Sequence, residues 1–142
     1  MPAENRRSRV LVTGAAGFIG ANLIAALHAA TVPVVGIDRA EASAAPAWPT
    51  IVGDLVDPTP AVRSVLRSAD VVVHLAGRAG VRDARPAATA LWWRDNVSAT
   101  ASLLGSIGED AHLVVASSSS VYGGRPGLRA STETDVLRPR GG

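Results

Sequence analysis

Three evenly spaced glycines near the N-terminus are the residues whose spacing most clearly indicates chemistry. Gly14, Gly17 and Gly20 follow a short apolar run, and apolar residues then recur at helical intervals. A strand, a tight glycine turn and a helix in this order predict a site for the pyrophosphate of a dinucleotide. Gly14 would permit the turn, Gly17 would let a phosphate approach the main chain, and Gly20 would let the helix pack on the strand. N–H groups at the start of the helix would bind the phosphates.

Two interpretations without a dinucleotide compete for the same stretch. In the first, the glycines serve packing alone and the unit binds nothing. In the second, the stretch is a secretory signal, because Arg6, Arg7 and Arg9 precede it. However, Asn22 and His28 join the glycines in interrupting the apolar core that such a signal needs. A nucleotide P-loop is excluded, since its motif requires a lysine and the sequence contains none.

An acidic residue lies where a dinucleotide site would need one. Asp38 follows a second apolar run, Val32–Ile37, about twenty residues past the glycine turn, where a carboxylate would meet the hydroxyls of the adenosine ribose. The next residue, Arg39, would suit a 2′-phosphate, but Asp38 would repel that phosphate. The sequence therefore favours NAD over NADP as the ligand.

Alternating strands and helices are expected to position these residues. Their order predicts an α/β fold of the Rossmann type, with a doubly wound parallel sheet and helices on both faces. The predicted strand order is 3-2-1-4-5, with a ligand crevice at the carboxyl ends of the first and fourth strands. The candidate residues all follow strand ends, so we expect them to converge on this crevice. After the glycine stretch, the predicted strands are Val32–Ile37, Thr50–Val52, Asp70–Gly77 and His112–Ala116, and the predicted helices are one that Pro58 begins and Ala87–Leu104.

Apolar spacing also predicts which helix faces are packed. The predicted stripe of the first helix is Ile19, Leu23, Ala26, Leu27 and Ala30. The predicted stripe of the long helix is Trp93, Val97, Thr100 and Leu104, with Leu91 and Trp92 as further core or interface residues.

Two polar residues fall within apolar segments. His74 lies inside the fourth strand, and we interpret it as a core histidine with satisfied hydrogen bonds rather than a catalytic one. Asn96 lies close to the apolar stripe of the long helix and needs a hydrogen-bond partner if it is buried.

Composition narrows the classes of function. The chain has 142 residues, of which 47% are hydrophobic and 18% charged, as expected for one globular domain. Fourteen arginines against twelve carboxylates give a net charge of +2 and no basic stripe, which argues against a nucleic-acid partner. The absence of cysteine excludes thiolate sites. The histidines are scattered without the spacing of metal ligands, so they indicate no zinc site. No apolar stretch is typical of a membrane span, and the overall pattern predicts a cytoplasmic protein.

The motifs together resemble the extended short-chain dehydrogenase/reductases, specifically the NAD-dependent epimerase/dehydratase family that acts on nucleotide sugars. They occur in the order and approximate spacing of that family along the whole chain. The segment His74–Arg82 is most similar to the UDP-glucose and UDP-glucuronate 4-epimerase branch. The matching segments are Thr13–Gly20, Gly53–Leu55, His74–Gly77, Asn96–Thr100 and Ser117–Gly123.

This resemblance implies roles for residues of four segments. The pyrophosphate would be lined by Gly14, Gly17, Phe18, Ile19 and Gly20. The adenosine half would be held by Asp38 at the ribose and by Asp54 and Leu55 at the adenine, and the nicotinamide half would lie beside Leu75, Ala76 and Gly77. Ser118 matches the catalytic hydroxyl of the family, Ser120 a position that contacts the substrate, and Asn96 a structural position behind the site.

One departure from the family pattern is as informative as the matches. The general base of the family is the tyrosine of a Tyr-x-x-x-Lys motif, whereas Tyr122 is the only tyrosine of this sequence and no lysine is present. By family spacing the motif would fall just past Gly142. Residues 1–142 are therefore expected to be the N-terminal part of an NAD(P)-binding Rossmann domain, without the catalytic tyrosine and lysine, the last strands of the sheet or the sugar-binding lobe.

Three functions remain open at this stage. The first is the NAD-binding part of an epimerase or dehydratase that transfers hydride between a sugar carbon of a nucleotide-sugar substrate and NAD. The others are a stand-alone dinucleotide-binding or regulatory module, and a truncated fragment without function. We also expect self-association, as a homodimer or otherwise, because the fifth strand would present an apolar edge.

The missing base gives a first prediction. Residues 1–142 alone should not turn over a nucleotide sugar, because the lost acid–base catalysis is worth about 10² to 10⁴ in rate and Ser118 does not replace the base. Epimerisation and NAD reduction by the purified chain are the measurements. Turnover that Ser118→Ala abolishes would contradict the prediction.

Overall fold

Five parallel strands form the sheet of the computed structural model, which describes residues 8–40, 49–78, 87–123 and 130–139. The strands are β1 (Val10–Thr13), β2 (Val34–Asp38), β3 (Thr50–Val52), β4 (Val71–His74) and β5 (His112–Val115). Their order across the sheet is β3-β2-β1-β4-β5. The predicted α/β fold and strand order are confirmed.

The described helices follow β1, β3 and β4 in the chain and cover the sheet. They are α1 (Phe18–Ala29), α2 (Pro60–Ser68), α3 (Ala88–Trp92) and α4 (Ala99–Leu104), with a π-helical turn at Trp93–Ser98 between the last two and a 3₁₀ turn at Ser119–Tyr122 after β5. Within the described ranges, no helix combines the length and apolar character required to cross a membrane.

Neighbouring residues of β1 show that the two faces of the sheet have separate cores. Leu11 packs in a cluster with Leu66 of α2 and Leu103 of α4. Val12 packs instead with Ile24 of α1. Because successive side chains of a strand point to opposite faces, α1 covers one face while α2 and α4 cover the other. This is the doubly wound arrangement predicted from the sequence.

Several element boundaries differ from the prediction. Strand β4 is Val71–His74 rather than Asp70–Gly77, and β5 ends at Val115 rather than Ala116. The starts of β2 and α2 differ for local reasons. β2 begins at Val34 rather than Val32, because the Val32 N–H still donates to the Leu27 carbonyl at 3.0 Å at the end of α1. Helix α2 begins at Pro60 rather than Pro58, because the Thr59 hydroxyl caps it by accepting the Val62 N–H at 3.4 Å. Proline in the first turn suits this start, since its missing N–H would have no helical partner there.

The predicted apolar stripe of α1 is only partly correct. The buried residues of this helix are Gly20 and Ile24. Of the predicted stripe, Leu23 and Leu27 are half-buried, and the exposed residues are Ile19, Ala26 and Ala30. A Cβ on Gly20 would lie 2.1 Å from the Gly14 carbonyl oxygen, so α1 meets the turn through this glycine. The packed face follows Gly20 and then Ile24, one turn later, rather than Ile19.

The predicted stripe of the long helix is wrong. The buried residues of this helical segment are Ala88, Asp95, Ala99 and Leu103, at spacings of seven, four and four residues, whereas the predicted face is largely solvent-accessible. Because the packed face includes the carboxylate of Asp95, it does not stand out in the sequence as an apolar stripe. Of that face and its neighbours, Trp93 (64%), Leu104 (53%), Trp92, Val97 and Leu91 are exposed, and Thr100 is half-buried.

The correction gives a prediction on two adjacent leucines. Leu103→Ala should lower the free energy of unfolding by about 2–5 kcal/mol, because Leu103 is fully buried between α4 and the sheet. Leu104→Ala is the matched control and should change it by less than about 0.5 kcal/mol, because the side chain is exposed. Urea denaturation measures both. Equal losses for the two variants, or a larger loss for Leu104→Ala, would contradict the observed register.

Candidate functional site

A cleft lies at the carboxyl ends of the first four strands. Segments at the ends of β1, β2, β3 and β4 line it, together with Asp95 of the π-helical turn and Ala99 at the start of α4. In open parallel α/β sheets ligands bind at this edge, where the crossovers on either side of β1 turn to opposite faces. The lining residues are Gly14, Gly17, Ile37, Asp38, Arg39, Gly53, Asp54, Leu55, Leu75, Ala76, Gly77, Asp95 and Ala99.

The structure brings most of the residues expected at the cofactor site into this one cleft. Those that line it are Gly14, Gly17, Asp38, Asp54, Leu55, Leu75, Ala76 and Gly77. Others lie beside it or elsewhere: Phe18, Ile19 and Gly20 form the first turn of α1, and Ser118 and Ser120 lie after β5.

Close main-chain contacts fix the turn between β1 and α1. Gly14 has a φ of 72°, a conformation that side-chain-bearing residues rarely adopt, and a Cβ there would lie 2.8 Å from the Ala76 nitrogen. The Ala15 N–H donates to the Ile37 carbonyl at 3.2 Å. The turn is thus held between the segment after β4 and the end of β2.

The start of α1 has the features of an anion-binding site. Gly17 occupies the N-cap position, so no side chain caps the helix, and the first turn contains no acidic residue. The N–H groups of Phe18, Ile19 and Gly20 precede the first hydrogen bond of the helix, which the Ala21 N–H makes to the Gly17 carbonyl at 2.9 Å. These donors and the helix dipole favour a negatively charged group at the cleft. The residues present therefore fit the pyrophosphate of a dinucleotide.

Asp38 joins the glycine turn to the end of β2. Its Oδ2 accepts the Ala16 N–H at 2.9 Å, and its Oδ1 accepts the Ala40 N–H at 3.1 Å. The carboxylate is half-buried and lines the cleft. It therefore has a fixed orientation with unused acceptor capacity, which suits two neighbouring hydroxyl donors.

A directed hydrogen-bond chain crosses the core beneath the cleft. The Ala76 N–H donates to Thr13 Oγ1 at 3.2 Å, and Thr13 Oγ1 lies 2.7 Å from His74 Nδ1. On the other side, His74 Nε2 lies 2.9 Å from Thr100 Oγ1, which donates to the Asn96 carbonyl at 2.6 Å. Because Thr100 spends its only proton on that carbonyl, it accepts from Nε2–H, and His74 Nδ1 accepts from Thr13.

This chain requires neutral His74 in the Nε2–H tautomer. Burial lowers the pKa of His74 from its ordinary value, which keeps the ring neutral near pH 7. The predicted core histidine is therefore confirmed, with both ring nitrogens bonded.

A network of arginines and carboxylates closes one side of the cleft, and sequence reasoning missed it. Asp95 is 5% exposed and accepts hydrogen bonds from Arg39, Arg78 and Arg94. Burial raises the pKa of Asp95, but these three hydrogen bonds outweigh it and the pKa lies below its ordinary value. Asp95 lies four residues before Ala99 and eight before Leu103, so a carboxylate in phase with two apolar residues was the available signal.

Arg94 extends this network to a predicted cofactor residue. Its Nη2 contacts Asp54 Oδ2, and the Val56 N–H donates to Asp54 Oδ1 at 2.9 Å. Burial raises the pKa of Asp54, but the hydrogen bond from Arg94 and that from Val56 leave it lowered overall. Asp54 is thus ionised, and one of its oxygens is committed to Arg94.

Asn96 has the partner that its position required. Its Oδ1 accepts the Arg78 N–H at 2.8 Å, and its Nδ2 donates to the Arg78 carbonyl at 3.4 Å. The π-helical turn is therefore tied to the segment that follows β4.

The two serines expected near the substrate lie together in the 3₁₀ turn region. Ser118 Oγ donates to Ser120 Oγ at 2.9 Å and accepts the Ser120 N–H at 3.1 Å. Both residues are exposed, and neither lines the cleft. The described residues contain no cluster of histidine and carboxylate side chains that could hold a metal ion.

The comparison with family models decides the relationship. The model described as "NAD dependent epimerase/dehydratase family" matches residues 10–142. The chain belongs to this family. The resemblance inferred from the motifs is therefore confirmed. A comparison with curated proteins gave no match.

Solved structures with NAD bound are also similar to this chain. MoeE5 in complex with UDP-glucuronic acid and NAD is 38% identical with a TM-score of 0.76, over 92% of this chain and 43% of that one. UDP-glucuronic acid 4-epimerase from Bacillus cereus, with UDP-glucuronic acid and NAD, is 30% identical with a TM-score of 0.75, over 92% and 46%. A short-chain dehydrogenase/reductase superfamily protein from Agrobacterium tumefaciens with NAD is 29% identical with a TM-score of 0.78, over 94% and 40%. The chain spans less than half the length of each of these three structures.

The hydrogen bonds of His74 predict how the free energy of unfolding of this family member depends on pH. The folded-state pKa is below the unfolded value of about 6.5, so the unfolded state binds more protons between the two values. The free energy of unfolding should therefore fall as the pH falls from about 6.5 towards the folded-state pKa. Denaturant unfolding of the chain and of His74→Gln across pH 5 to 8 measures this, and the variant should lose the dependence.

His112→Gln is the control for this experiment. His112 is exposed on β5, so its substitution should leave the pH dependence intact. A pH dependence that persists in His74→Gln, or that disappears in His112→Gln, would contradict the assignment.

Proposed function

We propose that the cleft binds NAD and that residues 1–142 are the N-terminal, NAD-binding part of a nucleotide-sugar epimerase or dehydratase. The observation that carries the proposal is the start of α1, without a side-chain cap, beside the Gly14 turn, together with the Asp38 carboxylate, which is hydrogen-bonded to that turn and lines the cleft. Donors for a pyrophosphate and an acceptor for a ribose thus lie in the arrangement that a dinucleotide requires. Because the relatives named above bind NAD, NAD is the proposed cofactor.

Each part of the cleft has a proposed binding role. The main chain at Gly14 and Gly17 and the first turn of α1 (Phe18, Ile19 and Gly20) hold the pyrophosphate through N–H groups. Asp38 accepts hydroxyl protons of the adenosine ribose, while Leu55 packs on the adenine and Asp54 lies at its edge. The segment Leu75–Gly77 lies beside the nicotinamide half and excludes water from that side.

The proposed reaction follows from the chemistry that the cofactor supplies. NAD, when bound, supplies a hydride acceptor for a sugar carbon, and a nucleotide sugar is the proposed substrate because two of the relatives are complexes with a UDP-sugar. Ser118 is proposed to hydrogen-bond the reacting sugar hydroxyl and Ser120 to contact the sugar. We assign the general base to none of the 142 residues, since Tyr122 has no lysine with it.

Cofactor binding by this chain is the direct test. Calorimetric titration should show binding of NAD, and Asp38→Ala should weaken it by about tenfold to a hundredfold, because hydrogen bonds to a charged acceptor contribute about 1.5–3 kcal/mol. Asp57→Ala is the matched control and should bind like the unsubstituted chain, because Asp57 is exposed and does not line the cleft.

Thermal unfolding of both variants establishes that they remain folded before their affinities are compared. A folded chain that does not bind NAD would overturn the proposed function. Equal affinities for the Asp38 and Asp57 variants would remove Asp38 from the site and leave the glycine turn as its only support.

A further inference from the structure

Arg39 directly follows the proposed ribose-binding carboxylate, but its side chain is bonded elsewhere. Its Nη1 donates to Asp95 Oδ1 at 2.8 Å and its Nη2 to Asp95 Oδ2 at 3.3 Å. This two-point geometry is the one in which an arginine binds a carboxylate most specifically. An arginine beside the ribose is also the group that accommodates a 2′-phosphate in NADP sites. Asp95 therefore takes two of the five N–H donors of Arg39 and fixes the position of its guanidinium.

Asp95 is a buried charge that depends on its arginines. Its side chain is only 3% exposed, and Arg78 Nε and Arg94 Nη1 also donate to it, at 2.8 Å and 2.9 Å. The three arginines come from the end of β2, the segment after β4 and the π-helical turn. A carboxylate removed from water is tolerated only when charges and hydrogen bonds compensate for the lost hydration. Withdrawal of Arg39 would leave Asp95 with less of that compensation.

We propose that Asp95 sets the cofactor preference of the cleft by holding Arg39 away from the ribose 2′ position. The inference rests on the proposed function, and it assigns to Asp95 the part of a positioning residue that acts through Arg39. NAD binds with the Arg39–Asp95 pair intact. NADP binds only if Arg39 leaves a buried carboxylate, or if its phosphate lies beside Asp38 without Arg39.

Two carboxylates thus oppose NADP in different ways. Asp38 repels a 2′-phosphate directly, because it lines the cleft at the ribose position. Asp95 engages the arginine that could compensate for that repulsion. Both effects make the binding free energy of NADP less favourable and leave that of NAD unchanged. The cleft therefore discriminates between the two cofactors, because only interactions that differ between two ligands do so.

Four proteins distinguish a role of Asp95 in cofactor preference from a purely structural role. They are the unsubstituted chain, Arg39→Gln, Asp95→Asn and the double variant, each titrated calorimetrically with NAD and with NADP. The quantity compared is the ratio of the NADP Kd to the NAD Kd. A structural role of Asp95 would weaken both cofactors together and leave this ratio unchanged.

The expected ratios of the NADP Kd to the NAD Kd follow from whether Arg39 is released from Asp95. Asp95→Asn should lower the ratio by about tenfold or more, because Arg39 is then available for a charge-assisted hydrogen bond to the phosphate. Adding Arg39→Gln to Asp95→Asn should restore the original ratio. Arg39→Gln alone should leave the ratio within about threefold, since Arg39 is already bonded to Asp95. Arg63→Gln, an exposed arginine of α2, is the charge-matched control and should change nothing.

Three results would overturn the inference. They are an unchanged ratio in Asp95→Asn, a lowered ratio that persists in the double variant, and a ratio that rises about tenfold in Arg39→Gln, which would mean that Arg39 already contacts the phosphate. If Asp95→Asn does not fold, Arg39→Gln still tests the inference, because a tenfold rise in its ratio overturns it while Asp95 keeps Arg78 and Arg94 as partners. Failure of the unsubstituted chain to bind either cofactor would instead refute the proposed function.

Discussion

The contact between Gly14 and Gly20 is the constraint on which the cleft depends. The Gly14 carbonyl lies where a Cβ of Gly20 would be, so α1 begins close against the turn that leaves β1. The same turn passes over the main chain of Leu75 and Ala76. Any side chain larger than hydrogen at Gly14 or Gly20 would push these backbones apart. The first turn of α1 would then no longer lie at the same distance from the ends of β2 and β4.

Buried polar chemistry ties the rest of the site to this turn. On one side, Thr13, His74 and Thr100 connect the segment after β4 to the π-helical turn through hydrogen bonds of defined direction. On the other side, Asp95 collects arginines from three parts of the chain. In both groups, removing one partner costs more free energy than its hydrogen bond contributes, because the remaining buried polar group is left unpaired. They therefore fix the π-helical turn relative to the sheet.

The sequence predicts those parts of the structure that local pattern determines. Alternating apolar runs define the strands, and the glycine spacing together with Asp38 locates the cleft, because strand ends meet at one edge of a parallel sheet. The buried face of the long helix was not predicted in this way, because it contains the carboxylate of Asp95, whose arginine partners include residues distant in the sequence. No proline or glycine between Ala87 and Leu104 indicates the π-helical turn at Trp93–Ser98. Similarly, 56 residues separate Arg39 from Asp95, so their pairing follows from the tertiary structure and not from spacing.

The central claim is that a dinucleotide binds with its pyrophosphate at the start of α1. Backbone amide NMR spectra of the chain, recorded during addition of NAD, test this most directly. We expect the largest shifts at the N–H groups of Gly17, Phe18, Ile19 and Gly20, with smaller shifts at Asp38 and Ala76. Saturable shifts confined to other parts of the chain, such as β5 or the 3₁₀ turn at Ser119–Tyr122, or no shifts at millimolar NAD, would contradict it.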